Sequence, residues 1–121
     1  MDIQGLGVDI ANIRKMKRIL SRKTGGRFVE NTFTEAEKNC AGGESSHLAT
    51  AFAAKEAVYK AFGTGWIEGK DVELVRCRTG APEVKLYGEI KQIAKKRKIR
   101  NIMISVSYTG DYAVAVAVLT S

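Results

Sequence analysis

Phe52-Ala53-Ala54-Lys55-Glu56-Ala57-Val58-Tyr59-Lys60-Ala61 is the core of the strongest helical signal in the chain. Its richness in Ala, Glu and Lys is that of a strong helix former. The helix is predicted over roughly Ser46 to Phe62, ending at Gly63-Thr64-Gly65, where glycine permits the left-handed turn that closes helices. Glu56 and Lys60 stand four residues apart and so share one face, with Phe52 one turn earlier. Ala53 and Ala57 leave that surface thin enough for another element to pack closely. Taken alone, a Glu–Lys pair at this spacing is a solvated helix stabiliser worth about 0.3 kcal/mol.

Near the start of the chain, Ile3 to Ile10 reads as a buried strand, with Gly5, Gly7 and Asp9 on one face and Leu6, Val8 and Ile10 on the other. Asn12 is an N-cap for a helix running to about Ser21, apolar at Ile13, Met16, Ile19 and Leu20 and basic elsewhere. Gly25-Gly26 breaks this pattern, and Thr34-Glu35-Ala36-Glu37 supplies a capping box for a short second helix. After the long helix, apolar and polar residues alternate over Asp71 to Arg78 and again over Glu83 to Tyr87. Gly80-Ala81-Pro82 between them marks the turn of a hairpin. A helix over Glu89 to Lys98 has a lysine-rich outer face. The strands Ile102 to Tyr108 and Tyr112 to Leu119 form a second hairpin around Thr109-Gly110-Asp111. The order β-α-α-α-β-β-α-β-β predicts one α+β domain over residues 1–121, its mainly antiparallel sheet packed on the long central helix.

The 121 residues fit a single domain, and an apolar fraction of 45% can supply its core. Apolar runs are too short to cross a bilayer, and the start Met1-Asp2-Ile3-Gln4-Gly5 is not that of a signal peptide. Cys40 and Cys77 make no metal or redox spacing, which reads as two reduced thiols in a cytoplasmic protein. A net charge of +7 and a pI near 9.6 call for an anionic partner: nucleic acid, a nucleotide-like cofactor or an acidic protein.

Asp9 is the first residue with chemical interest. Glycines at the preceding same-face positions clear space beside its carboxylate for a ligand, although a loop aspartate before a helix also serves as a cap. Gly63-Thr64-Gly65 can bring backbone amides toward phosphate oxygens and is equally an ordinary helix stop.

In combination, Gly7-Val8-Asp9-Ile10 and Phe52-Ala53-Ala54-Lys55-Glu56-Ala57-Val58-Tyr59-Lys60-Ala61 resemble the two signature motifs of the 4′-phosphopantetheinyl transferases. Gly63-Thr64-Gly65, Gly80-Ala81-Pro82 and Ser105-Val106-Ser107-Tyr108-Thr109 extend the resemblance to the holo-acyl-carrier-protein synthase branch over nearly the whole chain. The resemblance implies transfer of 4′-phosphopantetheine from coenzyme A to a serine of an apo-acyl carrier protein, releasing adenosine 3′,5′-bisphosphate. It implies Mg²⁺ held by Asp9 and Glu56, a cation that takes hard oxygen ligands and shares itself with substrate phosphates. Lys60 would stabilise the leaving group, with either Glu56 or a metal-bound water taking the serine proton. Coenzyme A contacts are implied at Lys60, Gly63, Thr64, Gly65, Pro82, Ser107, Tyr108 and Thr109. Lys15, Arg18 and Arg22 form a stripe on the first helix, and the resemblance makes it the dock for an acidic carrier protein. The branch also implies a homotrimer with sites between subunits, without membrane or nucleic-acid partners.

Two departures stand out. The closing motif of the family reads Ser-His-Thr, whereas this chain has Ser107-Tyr108-Thr109; tyrosine donates a hydrogen bond but carries no positive charge at neutral pH. The family's arginine ahead of the second motif is Ala51 here, preceded by Gly42-Gly43-Glu44-Ser45-Ser46-His47 where basic residues are usual. Retained metal and transfer chemistry with altered coenzyme A affinity or nucleotide selectivity is therefore expected. The competing readings are a homologue that binds coenzyme A or a carrier protein without transfer, and a small basic nucleic-acid-binding protein.

Overall fold

Gly5 and Gly7 explain how the molecule is built. A side chain at Gly7 would collide with the Ala57 carbonyl oxygen and come within 2.6 Å of the Ala61 nitrogen, and one at Gly5 would strike the Ala61 carbonyl oxygen. The first strand, β1 (Ile3–Asn12), therefore lies with its backbone directly against the long helix α4 (Ser45–Phe62). The computed structural model describes residues 1–76 and 81–121.

Between them come α1 (Ile13–Ser21), α2 (Gly25–Thr32) and α3 (Glu35–Ala41). After α4 follow a 3₁₀ turn (Gly69–Asp71), β2 (Val72–Val75), β3 (Glu83–Leu86), α5 (Gly88–Lys96), β4 (Asn101–Thr109) and β5 (Tyr112–Thr120). The expected α+β order is present, with α2 as an additional helix. Gly25 does not interrupt the chain; it lets α2 start against the end of α1, where a side chain would meet the Leu20 and Ile19 carbonyl oxygens at 2.5 and 2.8 Å. The two predicted caps form. The Asn12 side chain accepts from the Lys15 amide at 3.0 Å, and Thr34 and Glu37 complete a reciprocal capping box on α3.

β1, β5 and β4 form an antiparallel sheet in that order, and β2 and β3 pair as a separate antiparallel ribbon. The turn predicted at Gly80-Ala81-Pro82 lies partly outside the described residues, as do Arg78 and Cys77. The inner face of the large sheet presents Gly5, Gly7, Ala113, Ala115 and Ala117 to Ala53, Ala57 and Ala61 of α4, and all these alanines are buried. Tyr59 is wholly buried on another side of α4; its hydroxyl donates to the Glu68 carbonyl oxygen at 2.6 Å and accepts from the Glu68 amide at 3.1 Å.

One expectation needs correction. β1 is buried on its inner face only: Leu6, Val8 and Ile10 on the outer face are 67%, 56% and 64% exposed. Met103, Val114 and Val116 continue this open apolar surface across β4 and β5.

Candidate functional site

Strand alternation turns Asp9 to the same side as Gly5 and Gly7, so its carboxylate emerges beside α4 with 15% of the side chain exposed. Lys60 reaches it from α4, its Nζ 2.8 Å from Asp9 Oδ1 and donating to the Val8 carbonyl oxygen at 3.3 Å. Glu56 sits one turn earlier on the same helix face. Its carboxyl is held above the ordinary carboxylate value, first by burial and then by the negative charge of Asp9, with Lys60 opposing both. Lys60 is raised in turn, chiefly through its bond to Asp9. Asp9 on a strand and Glu56 in mid-helix, far apart in the chain, are thus electrostatic neighbours.

This donor set fits a small divalent cation. The Asp9 and Glu56 carboxyl groups, the charge of the first disfavouring ionisation of the second, supply hard oxygen atoms. Among the described residues no group of three or more His, Cys, Asp and Glu side chains gathers to hold a metal. A pair leaves most of an octahedral shell to water and substrate oxygens, which is the habit of Mg²⁺.

The other predicted site residues do not all converge on this pair. Gly63 takes the left-handed conformation at the end of α4, and its amide bonds to the Tyr59 and Lys60 carbonyl oxygens. The Thr64 amide also returns to Tyr59, and the Thr64 hydroxyl donates to the Gly65 carbonyl oxygen. These two amides close the helix, so the turn offers a phosphate less than its sequence suggested. Ser107, Tyr108 and Thr109 end β4, two strands away from β1. Tyr108 pairs with Ala113, on the helix side, where its ring meets His47 at a centroid distance of 5.9 Å. Ser107 and Thr109 alternate to the open outer face. Pro82 stands just ahead of β3 in the smaller ribbon. His47 is half-buried, and its Nδ1 has no hydrogen-bond partner among the described residues.

Lys15, Arg18 and Arg22 are exposed along α1. Beside Lys15 a cavity of about 300 Å³ opens between β1, α1 and α2, walled by Met16, Ile19, Phe28 and Phe52. Lys15 of the basic stripe and Phe52, one turn before Glu56, both line this apolar hollow. Trp66 rests on Phe52 and Tyr59, with ring centroids 5.3 and 5.6 Å apart.

Sequence reasoning passed over the buried partner of the second motif. Lys55 is wholly buried, and its Nζ donates to Glu37 Oε1 and Oε2 at 2.6 and 2.8 Å and to the Val72 carbonyl oxygen. Burial pushes the Lys55 ammonium down, and Glu37 opposes that shift. Glu37 also accepts from the Thr34 amide at 2.9 Å and the Leu74 amide at 2.8 Å. The available signal was Glu37 itself, a capping-box carboxylate with a second oxygen to spare.

Comparison with known proteins shows the family and the fold. A family model described as the 4′-phosphopantetheinyl transferase superfamily matches residues 5–117. The holo-[acyl-carrier-protein] synthase of Desulforudis audaxviator is 40% identical over 121 residues, covering 96% of this chain and 92% of that one. The crystal structure of the Neisseria meningitidis holo-[acyl-carrier-protein] synthase aligns with a TM-score of 0.89 at 28% identity, covering 99% of this chain and 100% of that chain. The Helicobacter pylori synthase, solved in complex with coenzyme A, aligns with a TM-score of 0.85 at 25% identity, over 95% of this chain and 99% of that one.

Proposed function

The chain belongs to the 4′-phosphopantetheinyl transferase superfamily, and from that premise we propose that it is a Mg²⁺-dependent holo-acyl-carrier-protein synthase. It moves the 4′-phosphopantetheine group of coenzyme A onto a serine hydroxyl of an apo-acyl carrier protein. The observation that carries this reading is the meeting of Asp9, Glu56 and Lys60, from segments about fifty residues apart, at one exposed edge of the β1–α4 contact.

Asp9 and Glu56 would hold the metal. Bound there, Mg²⁺ supplies charge neutralisation and alignment for the pyrophosphate of coenzyme A. The serine oxygen of the carrier forms a bond to the pantetheine-side phosphorus while the bond to the bridging oxygen breaks, releasing adenosine 3′,5′-bisphosphate. Glu56, or a water beside it, would take the serine proton. Lys60 exchanges its bond to Asp9 for the departing phosphate and offsets the charge that develops there. The basic stripe of Lys15, Arg18 and Arg22 steers an acidic carrier toward this edge.

The contacts assigned to coenzyme A are divided among the α4 turn, Pro82 and the end of β4, and one chain does not bring them together. Two observations support a homotrimer with the site shared between subunits: that dispersal, and the open apolar face of Leu6, Val8, Ile10, Val114 and Val116. We take residues 1–121 as one transferase domain acting in the cytoplasm; no helix among the described residues is long and apolar enough to cross a membrane.

Mass spectrometry of an apo-acyl carrier protein incubated with the protein, coenzyme A and Mg²⁺ tests the assignment. Addition of one phosphopantetheine to the carrier, abolished by chelation, is the expected result. An unmodified carrier under all metal conditions would overturn it.

A further inference from the structure

The centre of the contact between α4 and the large sheet is smooth. Ala53, Ala57 and Ala61 meet Gly5, Gly7, Ala113, Ala115 and Ala117 along this seam, and the larger side chains of the same sheet face, Leu119 beside Gly5 and Ile102, Ile104 and Val106 on β4, flank it. Helix packing is normally fixed by ridges seated in grooves, and methyl groups make shallow ones. Such a contact permits close approach while leaving rotation and sliding weakly opposed. The separation of Asp9 from Glu56 and Lys60 depends on both.

On another side of α4 the situation is reversed. Lys55, immediately before Glu56, is held by both Glu37 oxygens, by the Val72 carbonyl oxygen and over the Phe33 ring, 5.7 Å from its centroid. Glu37 is tied to α3 through Thr34 and to β2 through Leu74. These directional bonds join three elements at one point, and both side chains are almost wholly buried. A buried ion pair is weak evidence of stability, and its best-attested service is to select one register among several.

We infer that the Lys55–Glu37 pair is a registry pin for α4: it fixes the rotation and axial position of the helix over its alanine–glycine contact, and thereby sets Glu56 and Lys60 opposite Asp9. Lys55 and Glu37 are positioning residues for the transfer reaction, and this role rests on the functional reading above.

Removing one partner leaves a buried unpaired charge, so Lys55→Met alone can fail to fold. The test is the double variant Glu37→Gln with Lys55→Met, which removes both charges, keeps side-chain length and leaves one acceptor oxygen for either the Thr34 or the Leu74 amide. Register is read directly by nuclear Overhauser contacts between the Gly7 α-protons and the Ala61 amide, which are close in the native packing. Mn²⁺ binding by calorimetry and the division between kcat and KM read its consequence. We expect a cooperative melt, weakened or multiple Gly7–Ala61 contacts, about ten-fold weaker Mn²⁺ binding and kcat lowered about ten-fold, with KM for coenzyme A nearly unchanged. A folded double variant with native Gly7–Ala61 contacts overturns the pin, whatever its activity. A wild-type protein that binds no Mn²⁺ defeats the metal reading instead, and the Gly7–Ala61 contacts still decide the register.

Discussion

Lys60 Nζ stands 2.8 Å from Asp9 Oδ1, so a residue of α4 and one of β1, 51 positions apart, are joined by a single ion pair at the rim of the molecule. The pair is formed by a lysine whose side chain is 54% exposed, and solvent screens it heavily. Its importance is therefore chemical: it holds an ammonium group within reach of any phosphate that approaches the two carboxylates.

Replacing Lys60 by alanine should consequently leave the melting temperature close to that of the wild type and lower kcat by about 10²–10³-fold. KM for coenzyme A should change much less. Steady-state kinetics with apo carrier protein measure both, and a loss confined to KM would remove Lys60 from the chemical step.

Glu56→Gln should separate stability from activity. A carboxyl whose folded affinity for protons is raised contributes its full stability below the ordinary value of 4.5 and loses it as pH climbs through the raised value. In chelator at neutral pH the variant should melt above the wild type, and the difference should vanish once the pH falls below that ordinary value. Mg²⁺ should raise the wild-type melting temperature and leave that of Glu56→Gln unmoved, while turnover of the variant is abolished.

Reversing charge on α1 with Lys15→Glu and Arg18→Glu should raise KM for the acyl carrier protein about ten-fold, with KM for coenzyme A unchanged. The wild-type preference for the carrier should also weaken as salt rises, and the variant's should not. Titrations at two ionic strengths distinguish this from a general loss of folding.

Gly7→Ala places a methyl group into the Ala57 carbonyl oxygen. Backbone cannot yield there as a flexible side chain would, so α4 must move away from β1. We expect a cost of about 3 kcal/mol in chemical denaturation and a larger proportional loss in kcat, because Asp9 and Lys60 are carried apart by the same displacement.

Val8→Asp puts a charge on the open sheet face, where Val8 is 56% exposed in a single chain. Sedimentation velocity should show the wild type as trimers and the variant as folded monomers with little transfer activity. A wild-type protein that sediments as a monomer would exclude a shared site.

Local signals made most of the fold legible. Asn12 and the Thr34–Glu37 box announced their helices because capping is settled within four residues. The helix through Glu56 was readable because its composition and its terminal Gly63 point the same way. By contrast, α2 was hidden because Gly25 looks like an interruption, and only the packing of α2 on the end of α1 reveals a need for close approach. Lys55 escaped for a related reason: nothing in a lysine's neighbours along the chain shows that it will be enclosed and matched to Glu37. The alternation of β1 was legible, but which side meets solvent depends on whether another copy covers Leu6, Val8 and Ile10.

Trp66 has a practical consequence. As the only indole in the chain, lying against Phe52, which itself lines the hollow beside Lys15, it is a built-in optical reporter. A molecule that enters that hollow and disturbs Phe52 will alter the emission of a single fluorophore, so engagement can be followed in real time without attaching a dye.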